Sequence, residues 1–248
     1  MLQNGDVNKM IRASVAMAVY NGEKYLREQL DSILSQMGQE DELVISYDRS
    51  DDNTWNLINE YAENDERIVV LADPGSGVID NFNHALAHCR GKYLFISDQD
   101  DIWINGKIDG MIRVLEETGA SLVVHNGVTI NASGKVVSND FFSEERIGPS
   151  LWKNFLKSRY SGCCMGFCRE LADIVLPIPK DIDAYDRWFG LCAEAFGKIV
   201  FADDVWIKHR IHSENYTPTG SRSASVIFHT RKVMLRELLK KRKELKCR

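Results

Sequence analysis

Three aspartates, Asp98, Asp100 and Asp101, follow directly on the apolar run Tyr93-Leu94-Phe95-Ile96-Ser97. A buried strand ending there delivers its carboxylates to one solvent-facing point, where they repel each other. A hard divalent cation removes that repulsion. Mg2+ or Mn2+ prefers oxygen ligands, keeps open positions and can bridge a diphosphate, stabilising the negative charge that builds as the diphosphate departs. The plainer use of these residues is to cap a helix starting near Ile102, but a cap takes one carboxylate, not three.

The elements that must hold such a point follow from the apolar periodicities. Residues 13–19 form a continuous apolar run, read as a buried strand; Asn21-Gly22 breaks it, and Leu26, Leu30, Ile33 and Leu34 recur at helical spacing. The alternation continues with strands predicted at 42–46, 68–71 and 93–97 and helices at 55–63 and 79–88. That is the pattern of a parallel α/β sheet, in which ligands gather at the carboxyl ends of the strands. A helix at 107–117 and a strand at 122–125 close the first half. Beyond them the pattern loosens into a hairpin over 128–137, helices at 151–157, 170–176 and 184–196, a strand at 163–168, and two short strands at 199–201 and 205–209. The strand ends rich in polar groups are Tyr20-Asn21-Gly22, Asp48-Arg49-Ser50-Asp51-Asp52 and the aspartate loop. Asp51 and Asp52 read as caps ahead of Thr54.

Composition bounds the rest. A chain of 248 residues, 44% hydrophobic and 27% charged, fits one domain with a large core. A net charge of −5 gives no footprint for nucleic acid. No apolar run approaches the roughly 20 residues of a membrane-spanning helix, and the polar start at residues 1–6 lacks a signal peptide's apolar stretch, so a cytosolic protein is expected. Six dispersed cysteines read as reduced thiols; the Cys164 to Cys168 spacing lacks the second pair a zinc site needs, and its alternation fits a buried strand.

Several short segments occur in a telling order: Ala18-Val19-Tyr20-Asn21-Gly22, Ile45-Ser46-Tyr47-Asp48-Arg49-Ser50, Asn81-Phe82-Asn83-His84-Ala85-Leu86, Ser97-Asp98-Gln99-Asp100-Asp101-Ile102-Trp103, Gly162-Cys163-Cys164-Met165, Tyr185-Asp186-Arg187-Trp188, and residues 209–215. On these the chain resembles the family 2 glycosyltransferases, inverting enzymes of the GT-A fold, and more narrowly bacterial rhamnosyltransferase-like polysaccharide transferases. The resemblance implies, within one domain, a nucleotide-sugar-binding half at about 12–125 and an acceptor half at about 126–215, and it leaves a basic tail at about 223–248 to be read from its own pattern. It implies a donor, dTDP-rhamnose first and a UDP-hexose next, transferred to a saccharide or lipid-linked saccharide acceptor. By the same resemblance Val19, Tyr20 and Asp48 hold the nucleotide base and ribose, Asp98 lies near the ribose and diphosphate, and Asp100 is the principal metal ligand. Asp101 either joins in or orients the loop, and His212 completes the metal shell or meets the diphosphate. Asp186 is the general base, with Asp181 and Asp183 as competitors and simple helix-terminal placement as the alternative. The chain departs from relatives at Tyr47-Asp48, where two adjacent aspartates are frequent.

From Arg231 to Arg248 basic residues interleave with Met234, Leu235, Leu238, Leu239 and Leu245 at helical spacing. Such a helix either lies on an anionic leaflet or packs on its own domain or a partner. Rival functions are a nucleotidyltransferase, which would want a glycine-rich basic loop after the first strand, a phosphatase using Asp98 as nucleophile, and a sugar-nucleotide-binding protein without catalysis.

Overall fold

The computed structural model describes residues 10–73, 77–156, 159–182, 184–213 and 223–247. The expectations placed on residues 1–6, Lys157, Asp183, Glu214 and Asn215 lie outside these. The chain runs β1 (Ala13–Val19), α1 (Leu26–Leu34), β2 (Asp41–Asp48), α2 (Thr54–Asn64), β3 (Ile68–Asp73), α3 (Val78–His88), β4 (Tyr93–Ser97), β5 (Ile102–Trp103) and α4 (Lys107–Thr118). It continues as β6 (Leu122–Asn131), β7 (Val136–Ser138), α5 (Phe141–Glu145), α6 (Leu151–Leu156), a 3-10 turn (Gly162–Cys164), β8 (Met165–Cys168), α7 (Arg169–Val175), α8 (Tyr185–Phe196), β9 (Ile199–Ile211) and α9 (Ala224–Lys246).

These strands build one sheet in the order β3-β2-β1-β4-β8-β6-β9-β5, with β7 paired to β6. The first four, β3 to β4, are parallel, which their apolar runs favour because helices cover both faces. β8 runs antiparallel between β4 and β6, and β9 runs parallel to β6, so the second half is mixed. The result is the expected α/β architecture, parallel in its first half and mixed in its second.

Three local readings change. The loop after Asp101 enters the short strand β5, which pairs with β9, not a helix. The predicted strand at 163–168 begins as the 3-10 turn, so Cys163 and Cys164 precede the extended segment. The two short strands expected near 199 and 205 are one strand, β9, carried through register shifts opposite His125 and Asn126. Exposed Asp203, Asp204 and Val205 interrupt its apolar pattern, which is why the sequence reads as two pieces.

Candidate active site

The aspartate loop is held first from below, by α1. Its apolar side, Leu26, Leu30 and Ile33, is buried in the core. An adjoining polar side reaches the loop: Gln29 Nε2 donates to Ser97 Oγ at 2.8 Å and to the Asp98 carbonyl at 3.0 Å, and Ser32 Oγ accepts from Trp103 N at 2.9 Å. Gln29 is fully buried, so these bonds replace water that the loop cannot reach.

The second support arrives from the far end of the sheet. β9 lies along β5 and presents its last residues to the loop. The fully buried Asp101 accepts from Arg210 N at 2.9 Å and pairs its Oδ1 with His209 Nδ1 at 3.0 Å. Arg210 bonds the Asp100 carbonyl through Nε at 2.8 Å and spans to Glu28 on α1, its guanidinium lying 4.6 Å from the Tyr25 ring centre. At 2% exposure it braces the loop from within. His212 Nε2 meets Asp100 Oδ2 at 2.8 Å.

The electrostatics follow from this packing. Burial holds the Asp98 carboxyl well above the ordinary carboxylate range, and Cys163, Asp101 and Asp100 push it further. Asp100 is likewise raised, by burial and then by Asp101, with His212 opposing. For Asp101 burial acts upward, but His209 and the Arg210 amide outweigh it and keep it low. Lys107, fully buried at the start of α4, donates to the Cys163 carbonyl at 2.7 Å and sits 4.0 Å from the Trp103 ring centre. Burial pulls it down to about 8, partly offset by Cys164, Cys163 and Asp101.

The donor set suits a hard divalent cation: clustered carboxylates that resist ionising together, an imidazole on Asp100, and a buried Asp101 Oδ2 with no hydrogen-bond partner among the described residues. Among the described residues, Asp101, Cys163 and His209 also place one ligand atom each within 4.8 Å of one another on the inner side of the loop. There Asp101 and His209 already satisfy each other by a hydrogen bond.

On the other flank of the aspartate loop, the loops after β1 and β2 are zipped together. Asn21, with a left-handed φ of 47°, gives its N–H to Ser50 Oγ at 2.9 Å and accepts from Asp51 N at 3.0 Å. Asp52 accepts from Glu23 N at 3.1 Å and Thr54 N at 3.0 Å, so it ties the two loops as well as opening α2. Tyr47 accepts from Ser50 N through its hydroxyl and packs on Trp55, leaving Asp48 as the partly exposed carboxylate of this edge. Tyr20 is 52% exposed at the mouth; Val19 is buried, its carbonyl 3.5 Å from Asn81 Nδ2. Gln99 then clamps Tyr20 to the aspartate loop, its Oε1 accepting from Tyr20 N at 2.8 Å and its Nε2 donating to Tyr20 O at 2.7 Å. Gly22 leaves room for this clamp: a Cβ there would lie 2.8 Å from Gln99 Oε1 and make the glutamine side chain shift.

The opposite wall is the amino end of α8. Tyr185 donates its hydroxyl to Asp98 Oδ1 at 3.3 Å and packs on Phe82 of α3. Asp186, the next residue, is in the first turn of α8, with Oδ1 accepting from Arg187 N at 2.6 Å. Gly162 lets the Tyr185 ring in: a Cβ there would stand 2.4 Å from it. The structure thus brings Tyr20, Asp98, Asp100, Asp101 and His212 into one bonded neighbourhood. It joins Asp186 to that neighbourhood through Tyr185, and Asp48 through the zipped loops.

Sequence reasoning missed Gln99, Tyr185, His209 and Lys107 as working parts. Gln99 and Tyr185 sit inside the quoted segments, and their hydrogen-bonding capacity was the available signal. His209 is in strand phase with buried Ile207, a pattern that marks a packed position, yet its imidazole turns to Asp101. Lys107 gives no signal, being a lysine in phase with the apolar face of its helix.

Comparison with known proteins places this arrangement. The chain is 26% identical over 216 residues to the "Uncharacterized glycosyltransferase RP339" of Rickettsia prowazekii, covering 84% of this chain and 66% of that protein. The fold matches the crystal structure of S. aureus TarS 1-349 in complex with UDP-GlcNAc, with a TM-score of 0.74 at 19% identity, over 91% of this chain and 66% of that one. It also matches the mannosyltransferase PcManGT from Pyrobaculum calidifontis in complex with GDP-Man and Mn2+, with a TM-score of 0.65 at 18% identity, over 93% of this chain and 73% of that one. The chain therefore spans about two thirds of the length of RP339 and of the TarS chain. The fold they share is GT-A. With the strand-end loops, the aspartate loop and β8 all falling inside the match of the Glycosyl transferase family 2 model to residues 14–175, the chain belongs to glycosyl transferase family 2.

Proposed function

We propose that this protein transfers a sugar from a nucleoside diphosphate to an acceptor hydroxyl, with inversion, in the synthesis of a bacterial surface polysaccharide. The observation that carries this reading is the position of Asp98 and Asp100, at the carboxyl end of β4, clamped by Gln99 to the Tyr20 loop on one side and by Tyr185, beside Asp186, on the other. A diphosphate-linked donor fits between those walls, base toward Tyr20 and Asp48, and acceptor toward α8. dTDP-rhamnose is the first donor to test and UDP-hexoses the next. The nucleotide sugars named with the structural neighbours support the donor class and do not choose between these.

Asp100 and His212, with Asp98 near, would hold Mg2+ or Mn2+. When bound, the cation offsets the charge that develops on the departing diphosphate. The chain's own residues do the rest. Asp186 takes the proton from the acceptor hydroxyl as that oxygen attacks the anomeric carbon from the face opposite the diphosphate. Tyr185 orients Asp98, Asp101 holds the loop to β9, and Tyr20 covers the base. A single displacement needs no covalent intermediate, so one base suffices.

The test is release of nucleoside diphosphate from a panel of thymidine-, uridine- and guanosine-linked sugars with Mn2+ and candidate saccharide acceptors. Asp186→Ala should lower turnover by about 100- to 10,000-fold while donor binding persists. Asp100→Ala should weaken Mn2+-dependent donor binding itself. Parent-like turnover in both variants would remove the assignment.

A further inference from the structure

Helix α9 carries eight Lys or Arg and two Glu, in a chain whose formal net charge is −5. One face packs on the domain: Thr230, Val233 and Met234 are buried, Lys241 Nζ donates to the Leu176 carbonyl at 3.1 Å, and Arg231 donates to the Leu156 carbonyl at 2.9 Å. The other face is different in kind. Phe228, Leu235 and Leu239, spaced seven and then four residues apart, share one stripe and are 74%, 49% and 49% exposed. Glu237 is two positions out of phase with Leu235, 16% exposed and paired with Arg236, while Glu244, though exposed, lies 3.7 Å from Lys241 and eleven residues from buried Val233, out of phase with the stripe. The outward stripe therefore mixes apolar and basic side chains without an acid. On α6, which meets α9 through the Leu156 carbonyl, Leu156 is 56% exposed and Trp152, one turn back, 72% exposed.

We infer that this face of α9, with the edge of α6, seats the protein on an anionic lipid surface. The apolar side chains need an apolar phase and the flanking lysines an anionic layer, and a leaflet with acidic headgroups supplies both within a few ångströms of depth. No helix among the described residues is long and apolar enough to cross a membrane, so the contact is peripheral. A second copy of the chain would meet this face with the same basic stripe and be repelled. A nucleic acid would answer the lysines but leave the Phe228 stripe in water.

The contact does not depend on the donor chemistry and is tested apart from it. The full chain should float with phosphatidylcholine vesicles containing phosphatidylglycerol and not with phosphatidylcholine alone. Each basic residue at such a surface is worth about fivefold in partitioning, so Lys232→Gln, Lys240→Gln and Lys243→Gln together should weaken binding about 150-fold. Leu235→Ser with Leu239→Ser should also weaken it. Thermal melts check that the variants fold, and if the serine pair does not, the glutamine triple decides. Equal flotation with neutral vesicles, flotation unchanged in the triple variant, self-association broken by Leu235→Ser, or a salt-sensitive preference for RNA over vesicles would each overturn the inference. Donor turnover without vesicles should be unchanged in the triple variant.

Discussion

Gln99→Ala is the sharpest probe of whether the Tyr20 loop and the aspartate loop act as one unit. Gln99 makes two bonds to the Tyr20 backbone, at 2.8 and 2.7 Å, in a partly exposed position. A hydrogen bond of this kind contributes about 0.5–1.5 kcal/mol net, so about 2 kcal/mol holds the Tyr20 loop in place. In the alanine variant the ligand must order that loop itself. Its Kd for UDP or dTDP in Mn2+ should rise about 30-fold by calorimetry. A loss of that size, if felt globally, lowers the melting temperature of a chain this long by about 4–8 °C; if the loop loosens alone, the shift is smaller. Gln99→Glu keeps an acceptor for the Tyr20 N–H but sets a carboxylate oxygen against the Tyr20 carbonyl and adds charge to the loop. It should not rescue binding. An alanine variant that binds nucleotide within about twofold of the parent would refute the coupling.

Gly162→Ala should push the Tyr185 ring off Asp98 and cost about 1–3 kcal/mol by overpacking, read in denaturant melts, with a raised donor KM. Tyr185→Phe should lose less stability. Asp101→Ala leaves the Arg210 amide and His209 facing an empty site and should cost about 3 kcal/mol or more, with Asp101→Asn intermediate because one acceptor oxygen remains. The cation-free protein should lose stability as pH rises. Asp98 and Asp100 are raised in the fold, so the folded chain binds more protons than the unfolded one between the ordinary carboxylate range and their raised values. His209, also raised, adds stability that is lost as pH climbs through its folded value. Excess Mn2+ should flatten the decline; melts in chelator and in Mn2+ that share one pH profile would count against a cation at these carboxylates.

The first half was legible because its strands are unbroken apolar runs, separated by helices whose apolar positions keep one phase. Ala13–Val19 and Tyr93–Ser97 have the bounds that pattern predicts. The second half was less so. β6 carries the polar His125 and Asn126 in mid-strand and was read as two pieces, while β5 has too few residues for any periodicity. The aspartates could be seen in sequence because charge at a strand end has few structural uses. Their supports could not: Gln29 and Ser32 look like the wet side of an amphipathic helix until the loop lies over them.

β9 also fixes an order of events. Asp100 and Asp101 meet their partners 112 and 108 residues further along the chain, beyond the segment matched by the family model. At a synthesis rate of about 5–20 residues per second, the aspartate loop waits roughly 5–20 s for the strand that neutralises it. Lys107, which follows the loop closely, is made within that interval, and its buried charge acts on both Asp101 and Asp98. The carbonyl that Lys107 donates to, at Cys163, comes 56 residues later, so this counter-charge too is fixed only as the second half folds, and Lys107→Met should show its cost in the yield of folded protein.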